Sequence, residues 1–437
     1  MAIKTPQGDI VGLPRGTSDF IPKDSIAIEE ILEVATEVFR RYGFSPIITP
    51  AIENTATLSA KAYGEESTKE MYLLDGGQEA LRFDLTVPLA RYMAMNKDTP
   101  FPFKRYQIGN VWRKDEPQRM RSREFLQADL DIVGVSDQRA DAECVAAISE
   151  IMWKLGIEDF SIFVNSRGLL NSVLDSYKVS KDSQAEVIRV IDKMHKTSVN
   201  DTISRLVQLG LAQTDAENLV NFITWGRTNE EKLGKLEINA PAAKAEASKL
   251  RDFLSLLSNY DIKGSVNVDF SLARGLDYYT GMIFEFSVVT AGRRSPSLAG
   301  GGRYDGLIGM YSKSPTPAVG MSIGITRVLE MLRERVGSEV GRKSYPQVFI
   351  ASIGKENTAY SIGIASRLRA SGIYVDLNVA EKGISKQLEY SNSIGVKYVV
   401  IVGNRERESK KVNLKDMSSG SEEMLDIDLL IQRLKGS

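Results

Sequence analysis

The sequence predicts an α+β protein in three parts: an antiparallel sheet with flanking helices, a helical insertion within it, and a smaller C-terminal α/β domain. Three observations predict this. The chain has 437 residues, too many for one ordinary domain. In the first half, two long strand-like runs are joined by a charged loop rather than a helix, as in an antiparallel hairpin. From residue 345 onward, strand and helix patterns alternate strictly, as in parallel βαβ units.

Residues 24–42 carry Ile28, Ile31, Leu32, Ala35, Phe39 and Tyr42 on one stripe, with Arg40, Arg41 and Gly43 closing a helix. Pro46 and Pro50 bracket a short β-like run, Ile47 to Thr49. A helix follows Leu81-Arg82-Phe83-Asp84, then a strand over 105–112, a loop over 113–123 and a returning strand over 124–134. A helix over 140–155 leads to a strand from Phe160 to Val164. From about 176 to 258 the chain is Lys/Glu-rich and helical, without strand patterns. Strands resume at 266–270 and 282–286. Gly300-Gly301-Gly302 reads as a turn before the helix that runs through Arg327 to Leu332. Residues 333–344 form a polar linker. Strands at 348–351, 374–377 and 398–402 then alternate with helices at 357–370 and 384–394.

Composition narrows the chemistry. With 56 basic against 57 acidic residues, the net charge of −1 gives no global attraction to polyanions, so any nucleic-acid contact must come from local basic patches. No run approaches the roughly 18 apolar residues of a membrane helix, and residues 1–10 hold no signal-like apolar region, so the cytoplasm is the expected compartment. The only cysteine, Cys144, falls on an apolar helical face and reads as core; the only histidine, His195, reads as surface. Ser-His-Asp triads, Cys-His dyads and His-rich metal sites are therefore disfavoured, which leaves carboxylates, arginines, tyrosines and a borrowed metal ion.

Three constellations carry chemistry. The loop over 113–123 holds Arg113, Lys114, Asp115, Glu116, Arg119, Arg121 and Arg123, a local cationic excess in a near-neutral protein. Guanidinium forks at a strand end can clamp phosphate, although a charge run by itself is more often a solvated loop. What distinguishes this one is the strand that follows: at period two, Phe125, Gln127, Asp129 and Asp131 share one face, a composition better suited to a ligand floor than a core. The second constellation is Ala273-Arg274-Gly275-Leu276-Asp277-Tyr278-Tyr279-Thr280-Gly281. The third is Gly300 to Gly306, with Arg303 and Tyr304, followed by Gly320-Met321-Ser322-Ile323-Gly324-Ile325-Thr326-Arg327; neither a P-loop nor a dinucleotide fingerprint fits it.

In this order the motifs resemble those of class II aminoacyl-tRNA synthetases, and specifically histidyl-tRNA synthetases, over almost the whole chain. Residues 16–50 resemble motif 1, with Pro50 as its proline; 105–134 resemble motif 2; and 316–330 resemble motif 3. Arg274 to Gly281 resembles the histidine-specific signature, and Leu81 to Thr86 the amino-acid-binding turn. The resemblance implies a catalytic domain over 1–175 and 237–332, an insertion over 176–236 that reaches toward the tRNA acceptor stem, and an anticodon-binding-like domain over 345–437, whose most basic stretch runs from Arg405 to Lys415. It implies a homodimer acting on histidine, ATP and tRNA(His), with Mg²⁺ bridging the ATP phosphates.

The implied roles are specific. Arg113 and Arg274 are catalytic, with Arg113 on the α-phosphate and Arg274 against the substrate carboxylate; Arg327 holds the γ-phosphate, Phe125 stacks on adenine, and Arg121 and Arg123 complete the ATP site. Asp84, Leu85, Thr86 and Gln127 form the α-ammonium side of the histidine pocket; Asp131, Tyr278, Tyr279 and Tyr304 form its imidazole side. Two departures stand out: Thr326 replaces the acidic residue many class II enzymes carry before the motif 3 arginine, and Asp115 and Glu116 compete for one motif 2 role. The competing readings are a catalytically silent paralogue, either a regulatory subunit or a tRNA sensor, and another class II synthetase. Paralogues of the first kind usually lack the C-terminal domain, and other synthetases lack Arg-Gly-Leu-Asp-Tyr-Tyr-Thr-Gly.

Overall fold

Alternating side chains on two long strands set the framework. A computed structural model describes residues 3–4, 10–59, 71–194, 197–226, 228–273, 278–291, 293–312, 314–337, 340–380 and 382–436. Arg274 and His195 lie outside the described residues. The chain divides into two units, Met1–Asp19 with Ile31–Arg335, and Phe20–Glu30 with Val336–Ser437.

The first unit is built on one mixed sheet. Its main strands, numbered in chain order, are β1 Ser45–Pro46, β2 Phe103–Trp112, β3 Glu124–Val133, β4 Phe160–Ser166, β5 Ser265–Val268, β6 Met282–Thr290, β7 Ala299–Arg303 and β8 Ala318–Gly324. They lie in the order β5-β4-β6-β7-β8-β3-β2-β1, with a short Arg293–Arg294 strand paired to β6. The two outer pairs, β1 with β2 and β5 with β4, are parallel. The pairings between them are antiparallel. The expected hairpin is present as β2 and β3, paired in register from Phe103–Val133 to Trp112–Glu124.

Helix Gln138–Lys154 packs against β8 and β3. Its N-cap Asp137 accepts the Arg139 N–H at 2.8 Å, and Cys144, Val145, Ile148, Ile151 and Met152 are fully buried, so Cys144 is core as expected. The charge at Arg303, on β7, is buried against Asp141 of this helix. The Lys/Glu-rich stretch folds as five helices, Lys181–Asp192, Val199–Gln208, Gln213–Thr224, Asn229–Asn239 and Lys244–Leu257. Ser180, Ser198 and Thr228 cap three of them, and Glu231 completes a capping box with Thr228.

Two sequence expectations give way in this unit. The β-like run at 47–49 is not a strand; pairing stops at Ser45–Pro46 and ends with the Ile47 N–H on the Tyr106 carbonyl. More consequentially, Gly300-Gly301-Gly302 is no turn but the interior of β7, a buried strand in the middle of the sheet. A Cβ on Gly301 would stand 2.0 Å from the Gly320 carbonyl oxygen, and one on Gly302 2.5 Å from that of Met282. These glycines serve close strand approach, not backbone reversal.

The second unit contains a five-stranded sheet in the order Val375–Leu377, Val348–Ser352, Tyr398–Val402, Val412–Asp416, Glu422–Leu425. The first three strands are parallel, as the alternation predicts. The last two add an antiparallel hairpin, and the basic stretch from Arg405 to Lys415 lies on helix Asn404–Ser409 and the strand Val412–Asp416. Val412 and Leu414 bury their side chains between charged neighbours.

Candidate active site

The site lies on the face of the sheet opposite helix Gln138–Lys154. Antiparallel register places side chains in transverse rows: Arg105, Asp131, Gly320 and Gly302 form one; Gln107, Asp129, Ser322 and Gly300 the next; Gly109, Gln127 and Gly324 a third; Val111 and Phe125 a fourth. The glycines on β7 and β8 thin the sheet where the acidic residues of β3 stand up from it. A Cβ at Gly320 would lie 1.8 Å from Asp131 Oδ1.

Above these rows is a cleft of about 300 Å³. It is lined by Asp84, Thr86, Arg113, Arg121, Phe125, Gln127, Asp131, Tyr278, Tyr279, Tyr304 and Arg327, all picked out from sequence. Arg123 and Leu85 do not line it. The Arg123 guanidinium donates to the Asp115 carbonyl at 3.0 Å, and Leu85 is a fully buried side chain whose carbonyl accepts from Arg105 at 3.1 Å.

One end of the cleft is cationic. Arg113 follows β2 directly; its Nε donates to the Phe83 carbonyl at 3.0 Å and its guanidinium lies 5.1 Å from the Phe125 ring centroid. Arg327, in the helix after β8, donates from Nε to the Met120 carbonyl and from Nη1 to the Ser297 carbonyl, at 2.9 and 3.0 Å. Anchoring on carbonyls fixes the orientation of both forks. Arg121 pairs with Asp115 at 2.7 Å. That separates the two competing acids: Asp115 lines the cleft, whereas Glu116 pairs with exposed Arg15 at the surface. Thr326 is buried, and its hydroxyl accepts the Leu126 N–H at 3.4 Å.

The other end is acidic and phenolic. Asp84 caps the start of helix Thr86–Met95, accepting the Val87 N–H at 3.0 Å. Tyr278 sits 4.8 Å from Tyr279 and 5.8 Å from Tyr304, centroid to centroid, in tilted and edge-on contacts. The Tyr304 hydroxyl donates to Asp131 Oδ1. Asp131 Oδ2 lies 2.7 Å from Arg105 Nη2, an ion pair without hydrogen-bond alignment. Burial raises the Asp131 carboxyl above the usual range, and Arg105 and Tyr304 oppose the shift. Asp129 is pushed up to about 7 by burial, which Arg105 opposes and Asp131 reinforces. Burial also drives the Tyr278 and Tyr304 phenols far above their ordinary value, so both are neutral donors at physiological pH.

The sequence pattern gave no role to Ser322 or to Arg105, the fully buried guanidinium beside Asp131, and placed Asp129 on the ligand-floor face without a specific contact. The available signal for Arg105 was its register, directly across from Asp131.

A cleft with fixed guanidinium groups at one end and buried carboxylates and phenols at the other suits a polyphosphate beside a small cationic molecule. Comparison with known proteins fits that class. A family model described as "Histidyl-tRNA synthetase" matches residues 16–328, and one described as "Anticodon binding domain" matches 347–437. The chain belongs to the histidyl-tRNA synthetase family. Among its relatives, the histidine–tRNA ligase of Korarchaeum cryptofilum is 39% identical over 93% of this chain and 94% of its own length. That of Pyrococcus abyssi is 34% identical over 96% and 98%. The crystal structure of histidyl-tRNA synthetase from Nostoc sp. PCC 7120 superposes with a TM-score of 0.85 at 29% identity, covering 97% of this chain and 99% of that one.

Proposed function

We propose that this chain activates histidine with ATP to histidyl-adenylate and pyrophosphate, then transfers histidine to the 3′ end of its tRNA. The observation that carries this reading is a single cleft shared by Arg113 and Arg327 at one end and by Asp84, Gln127, Asp131, Tyr278, Tyr279 and Tyr304 at the other. On this reading Arg113 meets the α-phosphate, Arg327 the γ-phosphate and Phe125 the adenine, with Arg121 at the edge of the nucleotide. Asp84, Thr86 and Gln127 receive the α-ammonium. A neutral imidazole presents one N–H and one lone pair, which Asp131 and a tyrosine hydroxyl complement.

No general base is required. The carboxylate of a free amino acid is ionised at neutral pH, so its oxygen attacks the α-phosphorus as the bond to the bridging oxygen breaks and pyrophosphate departs. The protein positions the reactants in line and stabilises charge on the phosphoryl oxygens through Arg113 and Arg274. Mg²⁺, arriving with ATP, would neutralise phosphate charge. In the second step a ribose hydroxyl of the tRNA end attacks the adenylate carbonyl and AMP leaves.

The helices between 181 and 239 are assigned to the acceptor stem and the second unit to the anticodon. A homodimer is supported by the exposed Ile48 and Ile52 beside Pro50, an apolar patch at the motif 1 edge. The cytoplasm remains the assigned compartment; among the described residues no helix is long and apolar enough to cross a membrane.

ATP–pyrophosphate exchange run with each of the twenty amino acids tests the reading. Exchange should depend on histidine; dependence on another amino acid removes the specificity, and no exchange at all favours a silent paralogue. Replacing Arg274 with Ala should lower the adenylation rate constant more than it weakens ATP binding. A pure binding defect in stopped-flow assays would refute that role.

A further inference from the structure

Among the described residues, the floor of the cleft gathers more buried carboxylate than Arg105 satisfies by hydrogen bonds. Asp84, Asp129 and Asp131 are each at most 3% exposed, and all three line the cleft. Arg105 Nη2 is shared between Asp131 and the Leu85 carbonyl, and although Nε and Nη1 are buried without a hydrogen-bond partner, neither donates to Asp129, which feels Arg105 only through its field. Arg82, the other guanidinium whose field reaches Asp129, donates to the carbonyls of Thr49, Pro50 and Asn110. Asp129 thus has no hydrogen-bonded cation of its own among the described residues, and its Oδ1 accepts no hydrogen bond there. Two residues earlier on the same face, Gln127 Oε1 is equally buried and equally without a donor. Buried acceptors left unsatisfied are costly, and two adjacent ones opening on one cleft call for a single ligand that brings several donors and a positive charge.

We propose that Asp129 is a direct acceptor for the substrate's α-ammonium, converging on it with Gln127 and Asp84, and so selects amino acids over their amine-less analogues. This rests on the reading of the cleft as an amino-acid site and gives a role to a residue that reading left out. An ammonium group supplies three N–H donors, and these three side chains supply three acceptors. The alternative cationic end, a protonated imidazole, fits less well. Asp131 already accepts from Tyr304 and pairs with Arg105, and three tyrosine rings surround that end.

The assignment also makes binding depend on pH. Among the described residues, the charged and titratable groups facing Asp129 are Arg105 from β2, Asp131 from its own strand, and Asp84 and Arg82 from the segment before helix Thr86–Met95; from β8, the uncharged Ser322 hydroxyl lowers its pKa slightly. In the empty cleft Asp129 gains its proton as pH falls through about 7. A protonated carboxyl loses its charge and half its acceptor capacity, so ammonium binding weakens on the acid side.

The test compares wild type with Asp129→Asn in inhibition or turnover of ATP–pyrophosphate exchange, using histidine, histidinol and 3-(imidazol-4-yl)propionate. Only the last lacks the amine. Asp129→Asn should weaken histidine and histidinol by about 10- to 100-fold, the range of a hydrogen bond to a charged group, with the propionate changed by less than about 2-fold and the KM for ATP unmoved. Equal loss for all three compounds, or no loss for any, overturns the proposal. If the propionate binds both proteins too weakly to measure, the pH profile decides. Histidine affinity should fall between pH 8 and 6 more steeply in wild type than in Asp129→Asn, since the imidazole of free histidine titrates identically in both. Parallel profiles overturn it. Should exchange depend on an amino acid other than histidine, the proposed specificity fails, and the same comparison with that acid's amine-less analogue still judges Asp129.

Discussion

Replacing Arg105 with Met tests the electrostatics of the floor most directly. The guanidinium is completely buried, 2.7 Å from Asp131, and it also opposes the upward shift of Asp129. Methionine fills much of the same volume without charge. Removing one partner of a buried pair leaves the other uncompensated, at a cost of about 3–5 kcal/mol at pH 8. For a unit of this size that lowers the melting midpoint by roughly 4–8 °C. The sign of the pH effect follows from the carboxyls. Both are already raised by burial, and losing Arg105 raises them further. A carboxyl whose folded pKa exceeds its unfolded value stabilises the fold below the unfolded pKa and loses that contribution as pH rises through the folded value. The deficit of Arg105→Met should therefore be larger at pH 8 than at pH 6. Adding Asp131→Asn should restore at least half of it at pH 8, because the stranded charge is gone. Thermal melts of the wild type, both single variants and the double variant at the two pH values supply the cycle. A pH 8 loss below about 1 kcal/mol, a larger deficit at pH 6, or no recovery in the double variant would refute the reasoning.

Gly320→Ala should disorder the same floor by overpacking: its Cβ meets Asp131 Oδ1 at 1.8 Å and the Leu130 carbonyl at 3.0 Å. The expected loss is about 1–3 kcal/mol with a raised KM for histidine, whereas Gly306→Ala, whose nearest neighbour is a Thr280 methyl at 3.9 Å, should stay within about 0.5 kcal/mol in the same melts. Tyr304→Phe removes the donor on Asp131 Oδ1 while keeping the ring edge-on to Tyr278. Steady-state kinetics should show a KM for histidine raised about 10-fold and an ATP KM unchanged; a matching rise for ATP would argue against separate ends of the cleft.

Much of this arrangement was legible because β-strand periodicity is simple. Phe125, Gln127, Asp129 and Asp131 could be placed on one face from spacing alone, and the structure puts all four in the lining of the cleft. The helical stretch was legible from its Lys/Glu-rich texture without strand patterns, and the parallel part of the second sheet from strict strand–helix alternation. What failed had physical causes. Glycines carry no side-chain periodicity, so β7 resembled a turn; the better clue was that Gly300 to Gly302 lack the Asn, Asp or Pro that usually accompanies reversal. The hairpin after Tyr398–Val402 was hidden by charges flanking Val412 and Leu414. Arg105 read as one polar residue in a strand, since burial beneath a carboxylate is a property of packing that no spacing reports. The significance of Asp129 required knowing that neither Arg105 nor Arg82 donates a hydrogen bond to it.

The floor joins two devices that conflict with stability and reconcile only when a ligand is present. Glycines on β7 and β8 give up side-chain packing in the middle of a sheet, where such packing normally contributes most. The space they clear is occupied by carboxylates that burial renders reluctant to ionise. An apolar floor of the same volume would stabilise the empty fold better, since buried charge is offset only partly by a single guanidinium. The arrangement makes physical sense as preorganisation. Acceptors held in place by strand register, Arg105 and Tyr304 need no rearrangement when a cation arrives, and the cation relieves the repulsion among the acids that hold it. Binding energy is then concentrated at the amine and ring of the substrate. On the proposed reading, its carboxylate is left to be aimed at the phosphate held by Arg113 and Arg327.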